Sequence, residues 1–186
     1  MAKLKKSGLA PQHQPVLEEL KSLLAGMFER VVADFVRNNY GYDDVRQALK
    51  PPFLNGEVDL YARFDRGKVL RVIVGSCKLR VEQPPLSVRV DEVQILLSRL
   101  AEAMKAEKEY SEFRGKSFTS VTGMLFTNAD SAQEDALALA KHHDISIAHI
   151  RLPRAWVKDP TRHDIDRSMV RFLSGNHPRW IPKQDP

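Results

Sequence analysis

The feature that most constrains this chain is a strict alternation that runs into a turn and out again into a second, more apolar stretch. From Glu57 to Phe64, the residues Val58, Leu60, Ala62 and Phe64 alternate with Glu57, Asp59, Tyr61 and Arg63. A period of two suits a half-buried β-strand and does not suit a helix. Asp65-Arg66-Gly67-Lys68 reads as a turn, and Val69 to Leu79 as a second, more deeply buried strand. Together they predict an antiparallel hairpin, which commits the chain to a sheet and decides which side chains share a face. Ser76 and Lys78 are two apart and project from one side of the second strand, whereas Cys77 projects from the other, into the core.

Helical spacing surrounds this hairpin. Val16, Leu20, Leu23, Leu24, Met27, Phe28, Val31, Val32 and Phe35 predict a helix from Pro15 that ends near Asn38-Asn39, with Gly41 just beyond. A strand or loop covers Asp43 to Leu49 before Pro51-Pro52 breaks the chain. After Gln83-Pro84-Pro85, a second helix is predicted over Val88 to Tyr110, with Val93, Leu97, Leu100 and Met104 as its core stripe. Val121 to Phe126 reads as a strand, Ser131 to His142 as a helix opened by a serine cap, and Ile145 to Leu152 as a last strand. The order α-β-β-β-α-β-α-β predicts an α/β domain, a mixed sheet flanked by helices. Residues 1–14 form a flexible basic arm, 15–153 the core, and 154–186 a basic C-terminal extension that carries Trp156 and Trp180.

Composition narrows the function classes. Hydrophobic residues make up 42% of the 186, enough for a real core. No apolar run approaches the ~20 residues of a membrane span, and no apolar stretch of signal type follows the basic start, so a cytoplasmic protein is expected. Cys77 is the only cysteine, which excludes an internal disulfide and a cysteine-rich zinc site. No Gly-x-Gly-x-x-Gly or Walker loop is present. His142 and His143 are adjacent and point different ways on a helix, and His13, His149, His163 and His177 have no acid or nucleophile at telling spacing. The net charge is +5, and Arg151 to Pro186 holds eight Lys or Arg against four Asp. Lys3, Lys5 and Lys6 at one end, and Arg154, Lys158, Arg162 and Arg167 at the other, are candidate phosphate contacts. Basic tails also serve solubility. The two tryptophans suit either stacking on bases or covering the core.

The hairpin carries the chemistry. Gly56-Glu57-Val58-Asp59-Leu60 followed by Val74-Gly75-Ser76-Cys77-Lys78, between a leading and a following helix, resembles the PD-(D/E)xK nuclease superfamily of restriction-endonuclease-like folds. The resemblance spans Leu24 to Leu152. It places an acid, Asp59, on the first strand and the lysine, Lys78, on the second. Lys78 alone also reads as a strand-end lysine reaching solvent. Position 76 departs from the pattern, because a serine hydroxyl cannot supply the negative charge that a divalent ion wants. Either the metal site is lost or its carboxylate comes from elsewhere. A subset of type II restriction enzymes in this class keeps Ser-x-Lys and takes its acid from the next helix, thirteen intervening residues after the lysine. Residues 79 to 91 intervene here, and the next is Glu92. A first-turn glutamate also suits the helix dipole without any such role.

Gly26-Met27-Phe28-Glu29 is similar to the leading-helix pattern of Holliday-junction-resolvase-like nucleases, which implies that Glu29 reaches the metal site. With Val32, Ala33 and Val36 at i+3, i+4 and i+7, it equally reads as a boundary glutamate. The resemblance implies a Mg²⁺- or Mn²⁺-dependent DNA phosphodiesterase, an endonuclease. Asp59, Lys78 and Glu92 are its catalytic residues, Asp59 and Glu92 its metal ligands, and Glu29, Glu57 and Ser76 support them. DNA is the expected partner, a homodimer is plausible for duplex cutting, and no membrane is involved. The alternative is a nuclease-like module without activity that binds nucleic acid or a partner protein within a larger DNA-processing complex.

Overall fold

A computed structural model describes residues 14–80, 87–152 and 165–177. Six strands form one mixed sheet in sequential order: β1 (Asp44–Leu49), β2 (Val58–Arg66), β3 (Val69–Lys78), β4 (Phe118–Thr127), β5 (Ser146–Ile150) and β6 (Val170–Ser174). β1, β2 and β3 pair antiparallel, β3, β4 and β5 run parallel, and β6 returns antiparallel along β5. The fold is therefore α/β, and the described residues hold three α-helices: α1 (Gln14–Tyr40), α2 (Val90–Phe113) and α3 (Glu134–His142). Each parallel step needs a crossover, and α2 and α3 supply them. Among the described residues no helix is long and apolar enough to cross a membrane.

α1 packs on one face of the sheet. Its apolar stripe, Phe28, Val31, Val32, Phe35 and Val36, is buried against Leu60, Ala62, Ile73, Met124, Phe126, Ala148 and Ile150. Each such side chain removed from water contributes roughly 1.5–3 kcal/mol before conformational entropy is set against it. The helix ends as its sequence suggests, with Gly41 at φ +67 taking the left-handed position after Tyr40. α2 and α3 cover the other face, against Tyr61, Val72, Val74, Leu125 and Ile147.

Several details differ from the sequence reading, each for a local reason. The Asp59–Tyr61–Arg63 side of β2 is not a solvent face, because α2 lies over it and buries Tyr61. The polar groups there survive by pairing: Glu107 accepts from the Tyr61 hydroxyl at 2.6 Å and from Arg63 Nη2 at 3.1 Å. The Arg63 guanidinium also lies over the Tyr110 ring, and the Tyr110 hydroxyl donates to Asp65. The buried stripe of α2 is Val93, Leu96, Leu100, Ala103 and Glu107, while Met104 is 51% exposed. Ser131 does not cap α3. Its carbonyl accepts the Val88 amide in a short parallel bridge, and the helix opens after Gln133. The hairpin turn is tighter than predicted, since Arg66 pairs with Val69 and only Gly67 and Lys68 span the gap. The sheet also continues past residue 153, because β6 and the buried Ile165 lie within the predicted extension.

Removing the shared acceptor of the β2–α2 network leaves Arg63 and the Tyr61 hydroxyl without their buried partner. Glu107→Ala is expected to lower the unfolding free energy by about 3 kcal/mol, read from urea denaturation. A loss below roughly 1 kcal/mol would mean that the network contributes no more than a surface pair.

Candidate functional site

The hairpin ladder ends at Leu60 and Gly75, so Asp59 stands across from Ser76 one step beyond the last backbone pairing. Gly75 makes this close approach feasible: a Cβ there would sit 2.8 Å from the Leu60 Cβ. Past that point β2 and β3 diverge, and backbone donors of β3 become available to side chains. Asp59 uses them. Its Oδ2 accepts from the Cys77 amide at 2.6 Å and from the Ser76 hydroxyl at 3.0 Å, and Lys78 Nζ stands 3.7 Å away. Two hydrogen bonds and one ion pair thus converge on one carboxylate oxygen. The other, Oδ1, has no hydrogen bond among the described residues.

Glu29 faces this group from α1. The side chain is half-buried beside Val32, Ala33 and Val36, all of them in the core, and no hydrogen bond or ion pair holds it among the described residues. Burial raises its carboxyl above the ordinary value, the charges of Asp59 and then Glu57 raise it further, and Lys78 acts the other way. Glu57 itself is exposed. Cys77 packs against the α1 core, and burial lifts its thiol well above the usual range, with Asp59 and Glu29 adding to the rise. The thiol is therefore held protonated and is no nucleophile at neutral pH.

The structure brings together Asp59, Ser76, Lys78, Glu29 and, at the rim, Glu57. It engages Glu92 elsewhere. That side chain is buried, and both of its oxygens lie 2.5 Å from Arg80 Nη2. Oε2 also accepts the Arg89 amide at 3.0 Å, the backward reach of a glutamate in the third helical position. Glu92 is not among the charges that act on Glu29. Arg80 is the functional neighbour that sequence reasoning missed. Its backbone is clamped by Asn128, which accepts from the Arg80 amide at 2.6 Å and donates to the Arg80 carbonyl at 2.9 Å. An arginine two residues beyond Lys78 and twelve before Glu92 was the available signal.

Among the described residues, no three His, Cys, Asp or Glu side chains converge as a ready metal cage. Lys3, Lys5, Lys6, Arg154, Lys158 and Arg162 lie outside the described residues, as do Trp156 and Trp180. Arg167 is exposed, on a short 3-10 turn before β6. His142 and His143 are exposed and meet edge to face at the end of α3, away from any acid of the site.

The Arg80–Glu92 pair is buried and joins the end of β3 to the start of α2. Glu92→Ala should therefore cost about 3 kcal/mol, and the double replacement Arg80→Met/Glu92→Met should recover most of that loss. Thermal unfolding of the two variants checks this. A Glu92→Ala protein as stable as the wild type would return that carboxylate to the list of free ligands.

Glu29 should behave in the opposite sense. Between its ordinary value of 4.5 and its raised folded value, the folded chain keeps a proton that the unfolded chain has released. Stability therefore falls as pH rises through that window, and the charged carboxylate remains a penalty above it. Screening at a half-exposed group keeps the effect small. Glu29→Gln is expected to raise Tm by roughly 1–3 °C at pH 7, and by nothing near pH 4, where wild-type Glu29 is itself protonated. A lower Tm at pH 7 would show that the carboxylate has a stabilising partner.

No protein-family model matches this chain, and no curated protein matches it. Among solved structures it is similar to the crystal structure of a protein of unknown function, AF1548, at 18% identity and a TM-score of 0.48. The likeness covers 66% of this chain and 56% of that one, so the chain matches little more than half of its neighbour's length.

Proposed function

We propose that this chain is a metal-dependent DNA phosphodiesterase of the PD-(D/E)xK kind, acting as an endonuclease. The observation that carries the reading is the meeting of Asp59, Lys78 and Glu29 at the carboxyl end of β3, contributed by three separate elements. A half-buried carboxylate kept without a partner beside another acid is unfavourable for stability. Such an arrangement is common where a site is built for a charge that arrives later.

The donor set suits Mg²⁺ or Mn²⁺. Mg²⁺ commonly takes only one or two protein carboxylates and completes its shell with water and substrate phosphate, so a cage of three is not required. Asp59 and Glu29 would hold the ion, with Asp59 Oδ1 and the open Glu29 oxygens as donors. When bound, the ion polarises the phosphoryl oxygen and lowers the pKa of an attacking water. The chain's own residues do the rest. The Ser76 hydroxyl and the Cys77 amide fix the rotamer of Asp59, so that Oδ1 is presented without reorganisation. Lys78, two-thirds buried, directs its ammonium to the charge growing on the phosphate or orients the water. Glu57 remains a reserve acid at the rim. Glu92 joins the ligand set only if Arg80 releases it. Cutting a duplex takes two such sites, which a homodimer would provide.

A second reading has one observation in its favour. Asp59 Oδ2 already holds hydrogen bonds from Ser76 and Cys77 and an ion pair with Lys78. That suits a nuclease-like module that binds nucleic acid without cutting it, within a larger DNA-processing complex.

The test is cleavage of plasmid, linear, single-stranded and branched DNA with Mg²⁺, with Mn²⁺ and with EDTA, beside Lys78→Ala. Metal-dependent cutting is expected, reduced at least 10²-fold in the variant, with DNA affinity nearly unchanged. Binding without cutting in every metal would establish the second reading instead.

A further inference from the structure

The register of the sheet sets up a row that extends away from Lys78. Lys78 is the Cα partner of Thr127, Thr127 of His149, and His149 of Arg171, one residue from each of β3, β4, β5 and β6. Partnered residues project from the same face, so all four belong to the α2 side at the carboxyl end of the parallel strands. Ligands of open α/β sheets gather at that end. Thr127 is buried, its hydroxyl donating to the Lys78 carbonyl, so the reachable members are Lys78 at one end and His149 and Arg171 at the other.

That far end opens into a cleft of about 520 Å³, lined by Asn128, Asp130, His149, Arg151, Ser168 and Arg171 among others. Its polar groups are held in place. His149 Nδ1 lies 2.8 Å from the Ala129 carbonyl. A carbonyl only accepts, so Nδ1 carries the hydrogen and Nε2 is the ring edge turned away from that bond. Arg171 donates one Nη2 hydrogen to the Asp130 carbonyl at 3.0 Å, which braces its guanidinium at the end of β4 and leaves the other donors of the fork. Arg151 is exposed, with no side-chain bond among the described residues. Asp130, the one acid among the lining residues, is 70% exposed and stands 3.8 Å from His149 Nε2. Asn128 links the cleft to the β3 end through its clamp on the Arg80 backbone.

We propose that this cleft binds a backbone phosphate of the same DNA strand whose scissile phosphate lies at Lys78, an inference that rests on the phosphodiesterase reading. Arg171 and Arg151 are the phosphate ligands. A braced guanidinium suits a phosphate better than a free ammonium does, because its fork matches two oxygens at once. The spacing agrees with a strand laid across the sheet. Strands stand about 4.8 Å apart, so His149 is about 10 Å and Arg171 about 14 Å from Lys78 along the row. A neighbouring phosphate of the same strand, close to the cut, falls within that reach. Contacts of this kind position the strand without reading its bases.

The test uses the full chain with a labelled duplex of about 20 base pairs in EDTA, with affinity measured across a salt series. Arg151→Gln/Arg171→Gln should weaken binding roughly tenfold at low salt and make the log–log salt slope shallower by about 0.9, the value of one phosphate. Asp130→Asn should tighten binding. Cutting by the double variant with Mg²⁺ should fall at subsaturating DNA in step with its affinity. Arg151→Gln alone breaks no bond among the described residues, so it reports even if the Arg171 change harms folding. An unchanged slope in a folded variant, with wild-type cutting intact, overturns the cleft and leaves the phosphodiesterase reading standing. A shallower slope in the variant of a protein that cuts nothing overturns the phosphodiesterase reading and leaves the cleft as a phosphate site.

Discussion

The hydrogen bond from the Cys77 amide to Asp59 is made where the backbone ladder between β2 and β3 gives way to side-chain chemistry. β3 pairs antiparallel with β2 on one side and parallel with β4 on the other. The parallel ladder continues to Lys78, whereas the antiparallel one stops at Gly75. Along Ser76, Cys77 and Lys78 the β4 edge therefore stays paired, while on the β2 edge the Cys77 amide is left for a side chain. Asp59 fills that gap, and with it come Ser76 and Lys78. A loop could not offer the same constellation, because only a paired strand fixes alternate side chains to about the tolerance that positioning demands.

Charge explains what the rest of the molecule does around that gap. Three carboxylates, Glu29, Glu57 and Asp59, share one ammonium, Lys78, and the effect appears at Glu29, the member with no bond of its own. The other acids near the sheet are treated differently. Glu92 has Arg80, Glu107 has Arg63 and Tyr61, and Asp65 has Lys116 and Tyr110. Each of those pairs fastens a helix or a turn to the sheet. The contrast matters more than the count: among the described residues, acids that fasten one element to another are neutralised, and half-buried Glu29 is not.

The hairpin was legible in the sequence because its signals are local. Alternation, a turn and a two-residue spacing put Asp59, Ser76 and Lys78 together before any long-range contact was known. Glu29 was half legible: its apolar neighbours placed it at the border of a buried face, but its approach to Asp59 depends on how α1 crosses the sheet. Glu92 shows what spacing leaves out. Its distance from Lys78 matched a spacing argument, yet a count along the chain says nothing about Arg80, whose side chain lies between the strand end and the helix start. Met104 turns outward for a simpler reason: the buried stripe of α2 repeats every seven residues, Val93, Leu96, Leu100, Ala103 and Glu107, and that closer spacing puts Ala103 where a 3.6 period would put Met104. His149 and Arg171 could not be grouped with Lys78 at all, because their alignment exists only in the register of three ladders.

Serine at position 76 has a physical role of its own beside Asp59. A glutamate or aspartate there would place a fourth negative charge beside Asp59, at a site that is 8% exposed. At close range in a partly dry environment that repulsion is large unless an ion is continuously present. The hydroxyl instead donates to Asp59 and helps hold it in one rotamer. The site is therefore settled in the absence of any ion, and what remains open to a ligand is Asp59 Oδ1 and the carboxylate of Glu29. On the phosphodiesterase reading proposed above, such a centre would be filled mainly by what the substrate brings, because the chain itself leaves only these two carboxylates open.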